Sequence, residues 1–521
     1  MSWALNRLGP QAIVYPGQQQ HARTAIQCLS DTVTQERVFG HLGWTEHEQE
    51  WVYLHAGGGV GICGLRSDVQ VELPDALQLC KIEPPADPAV IVSAVRSSLQ
   101  LLCLAPNRIT LPLLAAVHRA ALGDVDFGIF LTGRTGTFKT ALAALCQQHF
   151  GAGMDASQLP ANFSSTANAL EGLAFCAKDA VMVVDDFVPI GGHGDPVLQG
   201  VGERLFRGAG NHQGRSRLGA NGRVRSSLRP RALILATGEE VPRGQSLRGR
   251  MLIVEIAPGE VNVSELSKCQ KAAQEGQFAA AMGAYLMWIA PRYQELKSQL
   301  QKRVQALLLD FQDHRETHTR LPKIIAELQS GWELWLQFAR EAGALGATDE
   351  TDLRERGKKT LNEVALLQNP YQQASDPALC FLARIRGALS AGRAHVADRY
   401  GDVPNRPKAW GWQHNEASER WLPQGIRIGW VLGDDLFLES TAAYQVAQQS
   451  AGSERLSVSE QTLRYRLRDH GLLVSTDPGR QMLLVRRTLG GCARNVLHLR
   501  AKDIMLPDLY HRSAEGEEEE P

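Results

Sequence analysis

The stretch FLTGRTGTFKTALAAL, residues 130–145, decides the fold of this chain. An apolar run, FGIFLT (127–132), leads into a glycine-containing turn, after which Lys139 and Thr140 open a helix rich in alanine and leucine. Glycines allow a compact loop with inward-facing backbone N–H groups, and the helix N-terminus adds partial positive charge there. The pattern therefore predicts a P-loop that binds a nucleotide. Its predicted nucleotide-binding residues are Gly133, Arg134, Thr135, Gly136, Thr137, Phe138, Lys139 and Thr140.

Two residues of this loop carry most of its predicted chemistry. We expect Lys139 to bridge the β- and γ-phosphates of ATP, and the hydroxyl of Thr140 to ligate Mg²⁺. The usual pattern, G-x-x-x-x-G-K-[ST], has a glycine before the lysine, whereas this chain has Phe138. The alternative interpretation is a tight turn that only joins a strand to a helix.

A second buried strand ends in two acidic residues. The segment AVMVVDDF (180–187) has a run of apolar residues directly before Asp185 and Asp186, which is the layout of a Walker B strand. Asp185 is predicted to hold Mg²⁺ together with Thr140, and Asp186 to act as the general base for the attacking water. The alternative is that paired aspartates end a buried strand at a solvent edge. ATP and Mg²⁺ are the predicted cofactors.

A third strand and the arginines after it complete the predicted catalytic set. RALILAT (231–237) places Thr237 at a strand tip, where it could orient the lytic water, although a simple strand-end turn is equally consistent with the pattern. Arg248 and Arg250 follow, as candidate arginine fingers that reach a γ-phosphate in the neighbouring subunit. Their alternative is a salt-bridging role on a surface loop. Arg320 is a further candidate, for a lid sensor.

Composition limits the remaining classes of function. The chain has 521 residues, 44% hydrophobic and 21% charged, which suggests about three or four globular domains. It has no run of about 18 apolar residues and no secretory pattern in MSWALNRLGPQ, so we expect neither a membrane span nor export. Nine cysteines without a C-x-x-C pair favour reduced thiols over disulfides or a zinc site. These features predict a cytoplasmic protein without a membrane partner.

The net charge of −1 hides two basic segments. Residues 204–250 hold eleven arginines against two acids, and a hairpin inserted there, turning at Asn221-Gly222, could grip nucleic-acid phosphates without reading sequence. A solvated basic loop is the alternative.

Residues 455–500 hold nine arginines against three acids, on a helix followed by a hairpin, as in a winged helix. Winged helices also bind proteins, which is the alternative there. The predicted DNA-binding residues are Arg215, Arg217, Arg223, Arg225, Arg464, Arg466 and Arg468.

Alternation of strands and helices predicts an α/β fold with a parallel sheet in its P-loop core. Patterns along the chain divide it into five parts. The predicted parts are an N-terminal β-rich module (1–85), the ATPase core (86–260), a helical lid (261–395), a winged-helix domain (396–505) and an acidic tail (506–521).

Several strings together resemble a known family. They include HLGW, YLHAGG, GRTGTFKTALAAL, STANALEGLAF, VMVVDDF and ILATGEEVPRGQSLRGRML. This resembles the AAA+-like ATPases with a domain of unknown function in bacterial and mobile-element genomes, which are similar to the cassette-chromosome helicases and to MCM-type replicative helicases. The resemblance implies an AAA+-like fold for the P-loop core, ATP and Mg²⁺ use, ring assembly and translocation on DNA. We expect the ring to have six subunits and the DNA to be single-stranded or forked. By position it assigns the Walker and sensor roles to Lys139, Thr140, Asp185, Asp186 and Thr237, and the finger to an arginine near 248–250.

The sequence thus predicts an ATP-dependent DNA-translocating ATPase, an MCM-like helicase for replication of a mobile element. Two alternatives stay open. One is a nucleotide-switched DNA-binding regulator or defence component that does not unwind DNA. The other is a protein-remodelling AAA+ ATPase, although remodelling pores usually carry aromatic loops and the inserted segment here is rich in arginine.

Overall fold

A computed structural model describes most of the chain. The described residues are 13–30, 37–189, 194–214, 216–218, 224–225, 227–310, 320–450, 456, 458–480 and 482–505. Within these ranges, every helix is too short or too polar to cross a bilayer.

The N-terminal part consists of a helix, α1 (Gln19–Leu29), and six short strands. The strands are β1 (Val38–Phe39), β2 (Gly43–His47), β3 (Glu50–His55), β4 (Gly58–Gly61), β5 (Gly64–Arg66) and β6 (Gln70–Val71). β2 to β5 form an antiparallel meander, and β1 pairs with β6 in parallel. At Gly59 a Cβ atom would lie 2.4 Å from Val52 Cγ1, so only glycine lets β4 pack this closely on its neighbour.

Buried hydrogen bonds connect this meander to residues of the central part of the chain. Trp44 N–H donates to Asp179 Oδ2 (3.0 Å), the Tyr53 hydroxyl donates to Asp179 O (2.9 Å), and the Trp44 indole donates to Ala121 O (2.7 Å). Trp44 and Tyr53 belong to the same hydrophobic cluster as the central sheet. One part of the N-terminal module therefore packs in the central core, while Phe39, Val52, Leu54 and Val69 form a small cluster of their own.

The central sheet has five strands, all parallel. They are β7 (Gly128–Thr132), β8 (Ala161–Asn162), β9 (Val181–Phe187), β12 (Leu233–Gly238) and β13 (Met251–Glu255), in the order β13-β7-β12-β9-β8. Helices α4 (Lys139–Gln147), α5 (Ala167–Cys176) and α6 (Gly194–Asn211) connect or follow these strands. The strands are short apolar runs buried on both faces, as expected of a parallel sheet. The predicted α/β class with a parallel sheet is confirmed.

Helices cover both flanks of this sheet. They are α2 (Pro88–Leu99), α3 (Asn107–Ala120), α7 (Gln245–Arg248), α8 (Val263–Gln274), α9 (Gln277–Ile289), α10 (Tyr293–Asp310), α11 (Leu321–Glu341), α12 (Ala347–Leu366) and α13 (Asn369–Gln373). A buried ion pair, Arg119 to Glu327 at 2.7 Å, joins α3 to α11. The Gln368 carboxamide accepts from Ile253 N–H (2.9 Å) and donates to Ile253 O (2.8 Å). One side chain thereby pairs with both backbone groups of Ile253 on the edge strand β13.

The C-terminal part has its own hydrophobic cluster, which begins at Ala378. Its elements are α14 (Pro377–Ser390), β14 (Ala394–Asp398), β15 (Trp412–Asn415), β16 (Arg420–Pro423), β17 (Ile426–Leu432), β18 (Asp435–Leu438), α15 (Ser440–Gln449), α16 (Glu460–Asp469), β19 (Val485–Leu489) and β20 (Cys492–Arg500). The sheet order is β14-β17-β18-β20-β19, with β15 paired to β16 apart. β17 and β18 form a hairpin around Gly433 and Asp434, and the Ser459 hydroxyl caps α16 by accepting from Thr462 N–H.

One helix packs in a different hydrophobic cluster from the one that the predicted domain boundary at residue 395 implies. The helix α14 was expected in the helical lid, but Phe381 and Ile385 pack in the C-terminal cluster, because its apolar face lies against α15 and α16. The helical character of residues 263–310 and 320–390 is as predicted. The lid and winged-helix assignments themselves stay predictions.

Acid should destabilise the fold through buried histidines. His149 is fully buried between α2 and α9, where its Nδ1–H donates to Leu145 O (2.9 Å) and its Nε2 accepts from the Ser98 hydroxyl (2.9 Å). Burial lowers the pKa of His149 to about 4, whereas an unfolded histidine titrates near 6.5. Between these values the unfolded chain binds more protons, so this stability is complete above pH ~6.5 and is lost as the pH falls towards 4.

The expected size of this effect is about 3 kcal/mol of unfolding free energy for His149 alone. Urea unfolding at pH 7.5 and at pH 4.5 measures it. The variant His149→Gln, which does not titrate, should lose less stability between the two pH values. An equal loss in both proteins would contradict the assignment.

Candidate nucleotide-binding site

The predicted P-loop joins β7 to α4 and is shaped by two close contacts. At Gly133 a Cβ atom would lie 2.4 Å from Ile256 O, so a larger residue would push the loop away from the chain that follows β13. Gly136 has φ +83°, which glycine adopts without strain. Phe138 has φ +62° and a side chain 41% exposed. This left-handed conformation explains why glycine usually precedes the lysine, and a phenylalanine there costs about 1–2 kcal/mol.

Lys139 turns back over the loop that precedes it. Its ammonium donates to Gly133 O (2.8 Å) and Arg134 O (2.9 Å), while the Thr137 hydroxyl donates to Arg134 O (2.8 Å). Burial lowers the pKa of Lys139, and the nearby carboxylates, chiefly Glu239, raise it. Backbone carbonyls are weak partners for an ammonium, so the lysine is available for a stronger anion.

Thr140, Asp185 and Thr237 converge at the carboxyl edge of the sheet. The Thr140 hydroxyl donates to Asp185 Oδ1 at 3.0 Å, and the Thr237 hydroxyl is hydrogen-bonded to the same oxygen. Parallel strands end at one edge, which brings α4, β9 and β12 together there. Hydroxyl and carboxylate oxygens are the ligands that Mg²⁺ prefers, so this donor set fits the predicted metal.

Asp186 is set apart from Asp185 by a local distortion of β9. The pairing of β9 with β12 shifts register between Ala236 and Gly238, and Asp186 has φ +67°. Its N–H donates to the Thr237 hydroxyl at 3.1 Å, while its side chain is exposed. A bulge of this kind re-aims a side chain at a strand end. The two aspartates therefore face different surroundings, one inside the cluster and one towards solvent.

Glu239 is a neighbour of the loop that sequence reasoning missed. Its carboxylate accepts a hydrogen bond from the Thr135 hydroxyl, and its backbone oxygen accepts from the Thr132 hydroxyl at 3.1 Å. Glu239 thereby ties the P-loop to the end of β12. The available signal was its position two residues after Thr237 in the string ATGE.

Arg250 lies at the other edge of the sheet. Arg250 O accepts from the N–H of Gly128, the first residue of β7, whereas the P-loop follows the last residue of that strand. A strand of five residues spans about 16 Å, which exceeds the reach of an arginine. Arg248 donates to Pro242 O (3.1 Å) and Tyr371 O (3.0 Å). Arg250 therefore does not reach the P-loop of its own chain, and the side chain of Arg248 is held by the carbonyls of two other segments.

The predicted DNA-binding residues lie in two places. Arg217 and Arg225 are paired across the short antiparallel strands β10 (Arg217–Leu218) and β11 (Val224–Arg225), while Arg215 and Arg223 lie outside the described residues. On α16, Arg464 is bonded to Glu460 and to the Ser440 hydroxyl.

The exposed face of α16 presents three further side chains. Arg466 is exposed, and Arg468 contacts Asp469 (2.8 Å) and lies over the Tyr465 ring at 5.2 Å. Arg466 and Arg468 are thus better placed for an external anion than Arg464, which is held by its own chain.

Comparison with known proteins gives a likeness of fold. No known family model matches this chain, and no curated protein matches it. Among solved structures, the chain is similar to SCCmec type IV Cch, described as an active helicase, with a TM-score of 0.59 and 14% identity. The match covers 96% of this chain and 85% of the other. At this identity the likeness shows a shared fold, and a shared activity is a matter for proposal.

Proposed function

We propose that this protein is an ATPase that uses ATP hydrolysis to move along DNA, as an MCM-like helicase of a mobile genetic element. The observation that carries the proposal is the convergence of Thr140, Asp185 and Thr237 beside a loop closed by Lys139. The fold shared with a helicase supports it, and the mobile-element role rests on the family resemblance alone.

The residues of the site have distinct roles in this proposal. Lys139 exchanges the two loop carbonyls for the β- and γ-phosphates, and Thr140 and Asp185 hold Mg²⁺. When bound, Mg²⁺ neutralises charge that develops on the phosphates. Asp186 takes the proton of the attacking water, and Thr237 holds Asp185 and the backbone of Asp186 in place. The exposed side chain of Asp186 leaves room for that water.

A ring of subunits, expected to be six, supplies an arginine to the nucleotide of the neighbouring subunit. Arg250 lies at the edge of the sheet opposite to its own P-loop, so head-to-tail packing would bring that edge to the next subunit's nucleotide. An arginine supplied by a neighbour couples hydrolysis to assembly.

The basic hairpin and α16 are the proposed contacts with DNA. Two arginines pair across β10 and β11, and two more flank the turn in the sequence, so the segment can contact several phosphates. Winged-helix docking through the exposed face of α16 would add a second contact.

Replacing Arg215, Arg217, Arg223 and Arg225 together by alanine should weaken DNA binding at every sequence and flatten its salt dependence, because each lost phosphate contact lowers the slope by about one. Fluorescence anisotropy with single-stranded and forked DNA at several salt concentrations measures this. Arg420→Ala, on the exposed strand β16, is the control and should leave affinity unchanged. Unchanged affinity in the fourfold variant would remove the hairpin from the proposal.

ATPase stimulation by single-stranded DNA, together with unwinding of a fork, tests the whole proposal. Stimulation without unwinding would favour a nucleotide-switched regulator or defence component. ATPase activity that ignores DNA would favour a protein-remodelling ATPase. Absence of ATPase activity under all conditions would overturn the proposed function.

A further inference from the structure

Two arginines from distant parts of the chain meet at the C-terminal end of α6. Arg250 precedes β13 and Arg320 precedes α11, and both guanidinium groups reach the side chain of Asn211. Asn211 Oδ1 accepts from Arg250 Nη2 (2.9 Å) and Nε (3.2 Å), and from Arg320 Nη2 (3.4 Å). One neutral carboxamide oxygen therefore holds two cations side by side.

The other described partners of this pair are also neutral. Arg320 donates to Gly210 O (3.2 Å), and Arg250 donates to the Ser246 hydroxyl (2.6 Å) and to Ser246 O. A third arginine, Arg207, is near, but it pairs with Glu203 at 2.9 Å. None of the described hydrogen-bond partners of these two guanidinium groups is an acid, and such a pair favours an anion with several acceptor oxygens.

Burial and the neighbouring positive charges both affect the pKa of Arg250. Its pKa is lowered, first by burial and then by the fields of Arg320 and Arg207. Bringing cations together costs free energy unless an anion or another partner compensates them. Here a neutral oxygen holds the two cations together, so the pair is suited to bind an anion that comes from outside the chain.

Gly210 supports the same arrangement. A Cβ atom at this position would lie 2.7 Å from Arg250 Cδ, 2.9 Å from Arg250 Cγ and 3.2 Å from Asp126 O. The absence of a side chain lets the stem of Arg250 cross the end of α6 and reach Asn211.

We propose that Asn211 is a positioning residue that holds Arg250 and Arg320 as a pair for the terminal phosphates of a nucleotide bound by the neighbouring subunit. This inference rests on the proposed function. A phosphate fits because its oxygens can accept from both guanidinium groups at once, whereas the nucleotide of the same chain lies at the opposite edge of the sheet.

A purely structural reading competes with this proposal. Cations are favoured at the C-terminus of a helix, and Asn211 could merely stabilise that end of α6. The two readings differ for Asn211→Asp, which keeps the size and the acceptor oxygen but adds a negative charge. Under the structural reading this variant strengthens both contacts and leaves turnover unchanged. Under our proposal the added charge neutralises the pair and lowers turnover.

The experiment compares full-length wild type, Asn211→Asp and Gly210→Ala in a DNA-stimulated ATPase assay. We expect Asn211→Asp to lower kcat by about tenfold to a hundredfold with little change in KM, because the pair acts on charge in the transition state. Its melting temperature should equal or exceed that of wild type. Gly210→Ala should also lower kcat, since it displaces Arg250. Asn262→Asp, at the N-cap of α8, adds the same charge where aspartate is tolerated and should behave as wild type.

Each outcome has one meaning. Wild-type turnover in a folded Asn211→Asp variant would overturn the inference and leave the proposed function standing. A wild-type protein without ATPase activity would overturn the proposed function, and this inference with it.

Discussion

Lys139→Ala is expected to abolish ATP turnover, with a loss of at least about a hundredfold, and to weaken nucleotide binding. The ammonium of Lys139 now contacts two backbone carbonyls of the P-loop, so its removal leaves no buried charge without a partner. Its loss therefore removes phosphate stabilisation without breaking the fold. A single preorganised contact of this kind is typically worth about a hundredfold to a thousandfold in rate.

The measurement is steady-state ATPase activity together with binding of a fluorescent ATP analogue. Lys268→Ala is the matched control, because Lys268 is exposed on α8 and contacts only Glu265 (2.7 Å) among its described partners. The melting temperature of both variants should equal that of wild type. Full activity in Lys139→Ala would remove the P-loop from the mechanism and, with it, the proposed motor.

The Arg250→Ala variant by itself should lose ATPase activity by about a thousandfold. Mixing it with the Lys139→Ala variant should restore activity. The two residues lie at opposite edges of the central sheet, so a complete site needs one from each of two subunits. In a mixed ring, an Arg250→Ala subunit can supply the P-loop and a Lys139→Ala neighbour the arginine. In a random one-to-one mixture about one interface in four is complete.

Subunit mixing followed by the ATPase assay measures this recovery. The same mixture with Arg248→Ala in place of Arg250→Ala identifies which arginine acts, because Arg248 is held by Tyr371 O and Pro242 O and is expected to affect stability more. Mixtures that stay inactive for both arginines would contradict a site shared between subunits.

The local sequence pattern was sufficient to predict the strands of the central sheet. The runs ending at Thr132, Phe187 and Gly238 are strands because short apolar segments of this kind must be buried on both faces, and parallel pairing follows from the helices between them. The P-loop could be predicted for the same reason, since a strand, a glycine turn and a Lys-Thr helix start are contiguous. The N-cap of α16 is equally local, because the Ser459 hydroxyl accepts from the N–H of Thr462, three residues further along the chain.

Contacts between distant residues could not be predicted in this way. The sequence contains Glu239, Phe138 and Asn211, but it does not state that the first reaches Thr135, that the second takes φ +62°, or that the third holds Arg250 and Arg320. The place of α14 in the C-terminal core depends likewise on which helices its apolar face meets.

The sequence by itself determined the class of the core and the strand, glycine turn and helix start of the predicted P-loop, because both depend on residues within a few positions of one another. Only the tertiary structure decided that the hydroxyls of Thr140 and Thr237 both bond to Asp185 Oδ1, and that Arg250 lies at the far edge of the sheet. Such relations depend on how strands are ordered side by side, and strand order is a global property of packing that no short segment specifies.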